Sequence, residues 1–77
     1  MQVIDLSEGG CLVAARHPVS AGSEVTLHVN LAGLELPFTG RVVHVQRGRG
    51  FAVEFRNLPS ETRQELEQFL AAALTPN

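Results

Sequence analysis

The densest cluster of chemically capable residues is Asp5-Leu6-Ser7-Glu8-Gly9-Gly10, which joins a carboxylate, a hydroxyl two positions on and paired glycines. Two readings fit it. As a chain reversal, Asp accepts from the backbone amide two residues ahead, Ser does the same more weakly, and glycine supplies positive φ. As a ligand contact, carboxylate and hydroxyl converge on the polar edge of a bound molecule, and glycine leaves the backbone free to approach it. Catalysis needs more than this, because a serine nucleophile requires a base within hydrogen-bond reach. Ser7 and Asp5 stand two apart on a turn, while His17, His28 and His44 fall on loops or outward strand faces, so no catalytic residues are expected. Cys11 forms no Cys-x-x-Cys pair, and the three histidines show no His-x-x-x-His spacing. No metal site is expected either.

The elements that must position this cluster are mostly strands. Residues 25–31 alternate, with Val25, Leu27, Val29 and Leu31 on one side and Thr26, His28 and Asn30 on the other, which is the period of a half-buried strand. Asn30-Leu31-Ala32-Gly33 reads as a hairpin connection, after which Leu34, Leu36 and Phe38 resume the inward phase. Pro37 lacks an amide hydrogen, so its nitrogen should face an unpaired edge or a bulge. Beyond Phe38 the phase is ambiguous. A bulge at Gly40 would turn Val43 and Val45 inward and send Arg41 and His44 to solvent. Gly48-Arg49-Gly50 marks a turn, and Phe51, Val53 and Phe55 alternate as a further strand. Residues 3–6 and 11–15 read as two more short strands, separated by the polar cluster, and Pro18 to Gly22 as a loop.

The final element changes period. Leu66, Phe69, Leu70, Ala73 and Leu74 make one apolar helical stripe. Ser60 reads as the N-cap, Glu61 lies in the first turn, Arg63 and Glu67 form an i,i+4 pair, and Thr75-Pro76 stops the helix. The expectation is therefore a mostly β single domain over residues 1–77: five short strands within about 2–56 forming a small antiparallel barrel, then one amphipathic helix over about 60–74.

Composition bounds the function. The 77 residues are 44% hydrophobic and 18% charged, values of an ordinary globular domain, and no apolar run approaches the length of a membrane span. The start carries no secretory signal, so the cytoplasm is the expected compartment. All six basic residues are arginines against eight acidic ones, giving a net charge of -2, and there is no Trp or Tyr. DNA or RNA binding and membrane attachment are not expected.

Asp5-x-Ser7-x-x-Gly10, followed by a short strand, Pro18-x-x-x-Gly22, a hairpin, Gly40-Arg41-Val42-Val43, Gly50-Phe51-Ala52-Val53-Glu54-Phe55 and a helix opening at Leu58-Pro59-Ser60, resembles a PilZ domain. The resemblance runs from Ile4 to Leu70. It implies a bacterial cytosolic module with a six-stranded barrel, whose members often bind the second messenger cyclic di-GMP and pass the signal to an attached or partner protein. It also implies roles for three residues: Asp5 would accept from guanine's donor edge, Ser7 would add a polar contact, and Gly10 would admit the backbone.

The family's second half-site is an Arg-x-x-x-Arg segment upstream of the first strand, which clamps the phosphates. None of Arg16, Arg41, Arg47, Arg49, Arg56 and Arg63 has that spacing to another. Arg16, Arg41 or Arg49 could compensate by folding toward the site. The family's first strand is also without a counterpart, so five of six strands are expected, leaving a sheet edge open to a protein partner or a second copy of the chain. Two functions follow. One is a signalling domain with an incomplete nucleotide site that works through protein contacts. The other is a genuine cyclic di-GMP receptor whose arginine segment lies upstream of Met1, as an internal or misassigned start, or comes from a neighbouring subunit.

Overall fold

The computed structural model describes residues 2–16 and 19–74, with the side chain of Leu74 excepted. His17, Pro18, Thr75 and Pro76, on which part of the loop and the helix stop were expected, lie outside the described residues. The elements are β1 (Gln2–Leu6), β2 (Gly10–Ala14), β3 (Glu24–Leu31), β4 (Leu34–Gln46), β5 (Gly50–Phe55) and α1 (Ser60–Leu74). The five strands form one antiparallel sheet in the order β1-β2-β5-β4-β3. It curls into a half-barrel that the helix packs against through β3 and β4.

β3 is the regular strand that its alternation predicts: Leu27, Val29 and Leu31 are buried and Val25 partly so, while Glu24, Thr26, His28 and Asn30 are exposed. The hairpin to β4 turns on Ala32 and Gly33, both at positive φ (53° and 95°), and the Gly33 amide donates to Asn30 Oδ1 at 2.8 Å. Pro37 lies in the part of β4 that pairs with β3 before pairing with β5 begins at Gly40, so no ladder bond to β5 is lost.

β4 departs from expectation in two ways. It runs 13 residues and is not short, because it serves β3 along its first part and β5 along its second. Its bulge falls between Val42 and His44, not at Gly40. Gly40 and Val42 therefore keep the inward phase of Phe38, Val43 is the extra residue and is 50% exposed, and Val45 returns to the inner side. The outward placement of His44 and inward placement of Val45 hold, and that of Val43 does not.

Gly40 is demanded by a different constraint. A Cβ on Gly40 would sit 2.5 Å from both the Glu54 carbonyl oxygen and a Val53 methyl, and one on Gly10 would strike the Val53 carbonyl. Both glycines let a neighbouring strand close on β5. The core inside the curl is led by Phe38, Val13, Val42 and Leu66, with Phe38 and Phe55 ring centroids 5.0 Å apart.

The helix buries a stripe that begins earlier than predicted. Leu58, Thr62 and Leu66 are buried and Phe69 and Leu70 partly so, whereas Ala73 is exposed. Its first turn is closed by the Arg63 amide donating to the Pro59 carbonyl at 2.9 Å, which makes Pro59 the cap position and puts Ser60 inside the helix. Arg63 and Glu67 form no ion pair; both point to water, where such a pair adds a few tenths of a kcal/mol at most.

Leu66→Ala is expected to cost about 2 to 5 kcal/mol through lost burial and the cavity left behind. Ala73→Ser is expected to stay within about 0.5 kcal/mol. Urea denaturation followed by circular dichroism compares the two.

Candidate functional site

The Asp5 to Gly10 segment links β1 to β2 at one end of the sheet. Both the amide and the hydroxyl of Ser7 donate to the Gly10 carbonyl, at 2.9 and 3.2 Å. The Phe55 amide donates to the Gly9 carbonyl at 2.8 Å, tying the turn to β5. The turn reading thus accounts for Ser7 and Gly10. It does not account for Asp5: its expected partner, the Ser7 amide, is spent on Gly10, and the exposed Asp5 carboxylate makes no hydrogen bond or ion pair to the described residues.

Asp5, Ser7 and Gly10 are brought together. With Leu12, Val43 and Glu54 they line an open hollow of about 300 Å³ on the outer face of the sheet. A smaller hollow of about 80 Å³ adjoins it, sharing Leu12 and Ala52, and extends along the strands to His44, Gln46 and Arg49. The two make a single groove across β1, β2, β5 and β4.

The three arginines expected as compensators go to three places. Arg49 lines the far hollow of this groove. Arg41 lines a separate hollow of about 280 Å³ on the β3 side, where its Nη2 lies 3.9 Å from Glu24 Oε1 and its Nε is buried without a partner. Arg16 lines a cleft of about 500 Å³ with Arg47 at the opposite end of the sheet. No arginine lines the hollow that holds Asp5. Arg56, the nearest in sequence to Glu54, donates from Nη2 to Glu54 Oε1 at 3.1 Å and is committed there.

Several residues of the groove were not singled out by the sequence reading. Ile4 is 64% exposed and Leu12 44%, and with Val43 they put apolar surface beside the motif. The signal was present: Val3-Ile4 and Cys11-Leu12-Val13 are unbroken apolar runs in which alternation would demand a polar residue. Ser7 Oγ donates its hydrogen bond to the Gly10 backbone carbonyl and not to a base, so Ser7 is not set up as an activated nucleophile. Cys11 is buried at the floor of the same hollow, and burial pushes its thiol up from 9.0 to about 11.

A family model for the PilZ domain matches residues 1–72, and the chain belongs to the PilZ domain family. That family is the one whose members include receptors for cyclic di-GMP. No curated protein matches the chain. No helix among the described residues is long and apolar enough to cross a membrane.

The paired glycines are expected to differ. Gly9 has open space at its Cβ position and Gly10 meets the Val53 backbone, so Gly9→Ala should be tolerated while Gly10→Ala pries β2 from β5 and lowers the melting temperature sharply. The raised Cys11 pKa means the folded state holds its proton more tightly than the unfolded chain. Its contribution to stability is full below pH 9 and is lost between 9 and about 11. Cys11→Ala should flatten the decline in stability across that window, as read by denaturation at a series of pH values.

Proposed function

We propose that this chain is a non-catalytic bacterial signalling domain of the cytoplasm that keeps the guanine-facing half of a cyclic di-GMP site and acts through protein contacts. The supporting observation is the make-up of the groove: an unpartnered Asp5 carboxylate and no arginine in the motif hollow, with Ile4, Leu12 and Val43 exposed alongside. Cyclic di-GMP is a dianion. Charge-assisted hydrogen bonds contribute about 1.5 to 3 kcal/mol each, so two absent arginines amount to roughly 3 to 6 kcal/mol, or about two to four orders of magnitude in affinity. Asp5 adds repulsion to that loss. Apolar side chains standing on an otherwise polar sheet face suit a protein partner, as do the outer edges of β1 and β3, which no described strand pairs, where the sequence suggested one open edge.

A second reading has its own support. Asp5, Ser7 and Gly10 line one hollow, and Asp5 is not consumed by the turn. With an Arg-x-x-x-Arg segment supplied from upstream or from a neighbouring subunit, the same residues would take guanine and the chain would be a receptor. Arg49 is the cation in this chain best placed to help, since its hollow runs into that of Asp5.

Calorimetric titration of the 77-residue chain with cyclic di-GMP separates the two. No saturable heat at low-micromolar concentration is the expected result. Low-micromolar binding that Asp5→Ala abolishes would establish the receptor reading for this chain.

A further inference from the structure

The two ends of the sheet are not equally open. β1 has five residues, carries a register shift around Ile4 and ends beside the charged Asp5, which are features that discourage strand addition. β3 has eight residues, no proline and no bulge, and its pairing with β4 is regular from Glu24 to Leu31. The two-residue turn makes Leu31 and Leu34 a hydrogen-bonded pair, so alternation directs the amides and carbonyls of Val25, Leu27, Val29 and Leu31 to β4. Those of Glu24, Thr26, His28 and Asn30 therefore point to the free edge, where no described strand meets them.

We infer that the occupant of this edge is a second copy of the chain, its β3 lying antiparallel to the first about a two-fold axis at Thr26. The inference rests on the protein-contact reading and specifies its partner. Any extended strand would satisfy the backbone; the side chains select this one. With Thr26 opposite the partner copy's Thr26, Glu24 faces the histidine of the other copy's position 28, twice by symmetry. Within each copy, Arg41 Nη2 already lies 3.9 Å from Glu24 Oε1, and His28 Nδ1 lies 3.9 Å from Glu35 Oε1. The seam then reads arginine, glutamate, histidine, glutamate across the two sheets, with charges alternating when histidine is protonated. Thr39 pairs with Thr26 inside each copy, so a row of four threonines runs between the two charged rows. Cross-strand threonine pairs and opposite charges are both stabilising.

The neighbouring registers lack this match. One step along sets Thr26 against histidine and Glu24 against asparagine. Two steps stack His28 on its own copy, and two steps the other way stack Glu24 on its own copy. The exposure of Glu24 (83%) and His28 (66%) in the single chain leaves both side chains available to a partner.

Sedimentation equilibrium of the 77-residue chain over about 10 to 500 µM tests the inference, with a rise from 8.3 kDa toward twice that mass expected at pH 6. Thr26→Pro removes an amide that β4 does not use, at an edge position where proline is tolerated; it should keep the folded circular dichroism spectrum and weaken self-association by at least about tenfold. Glu24→Lys should weaken it, and adding His28→Glu should recover part of the loss. A chain that remains monomeric over the whole range overturns the inference, as does a dimer that neither the proline nor the charge reversal affects. If Thr26→Pro fails to fold, the charge pair alone decides. A monomer that binds no cyclic di-GMP removes this partner while leaving the protein-contact reading standing, whereas nucleotide binding removes that reading.

Discussion

Strands approach backbone to backbone where β2 and β4 meet β5, at Gly10, Gly40 and Gly50, with Gly50 set hardest against the Val13 carbonyl. None of the three positions has room for a single added carbon, so the sheet coils as tightly as it does because side chains are missing there. That coil is what lets so short a chain enclose a core: Phe38, Val13 and Val42 are brought over one another, and a single turn of helix at Leu66 closes the remaining opening. Domains of this size bury little surface, and a flatter sheet would leave these side chains wet.

The same closure builds the site. Gly10 holds β2 against Val53 and Glu54, which brings the Asp5 turn beside β5 and defines the floor of the motif hollow. The Gly9 carbonyl, one residue earlier, accepts from Phe55 and anchors the turn from the other side. The motif is thus a structural turn that also lines an open hollow. Ser7 and Gly10 make the turn, and Asp5 is left over. An unpartnered carboxylate without a neighbouring cation is a poor receptor for phosphate and a good acceptor for amide and amine donors.

What was legible in the sequence was whatever strict periodicity or local chemistry controls. β3, β5 and the helix stripe near Leu66 follow from spacing, and Asp5, Ser7 and Gly10 stood out by type. The bulge did not, because a phase change at Gly40 fits the polarity of residues 41 to 45 better than strict alternation does, while the bulge falls between Val42 and His44. Gly40 offered itself as the irregular residue when its purpose is close approach, and the choice was made by packing, which favours Val42 over Val43 for the space beside Phe38. The arginines were likewise beyond reach of local reasoning. Arg41 goes to Glu24 and Arg56 to Glu54 because of cross-strand and same-strand geometry, and Arg16 and Arg49 part company because they leave the sheet on different faces of its far end. The exposed Ile4 and Leu12 were hidden in apolar runs that read equally well as core.

As proposed above, the Asp5 hollow, which no arginine lines, does not hold cyclic di-GMP by itself. Amide-resolved NMR of the isotopically labelled chain, with the nucleotide added to about millimolar concentration, tests it residue by residue, since even weak contacts in that range shift the amides they touch. No saturable shifts at Ser7, Gly9, Gly10 and Leu12 are expected. Saturable shifts confined to those residues and Arg49 would contradict the proposal.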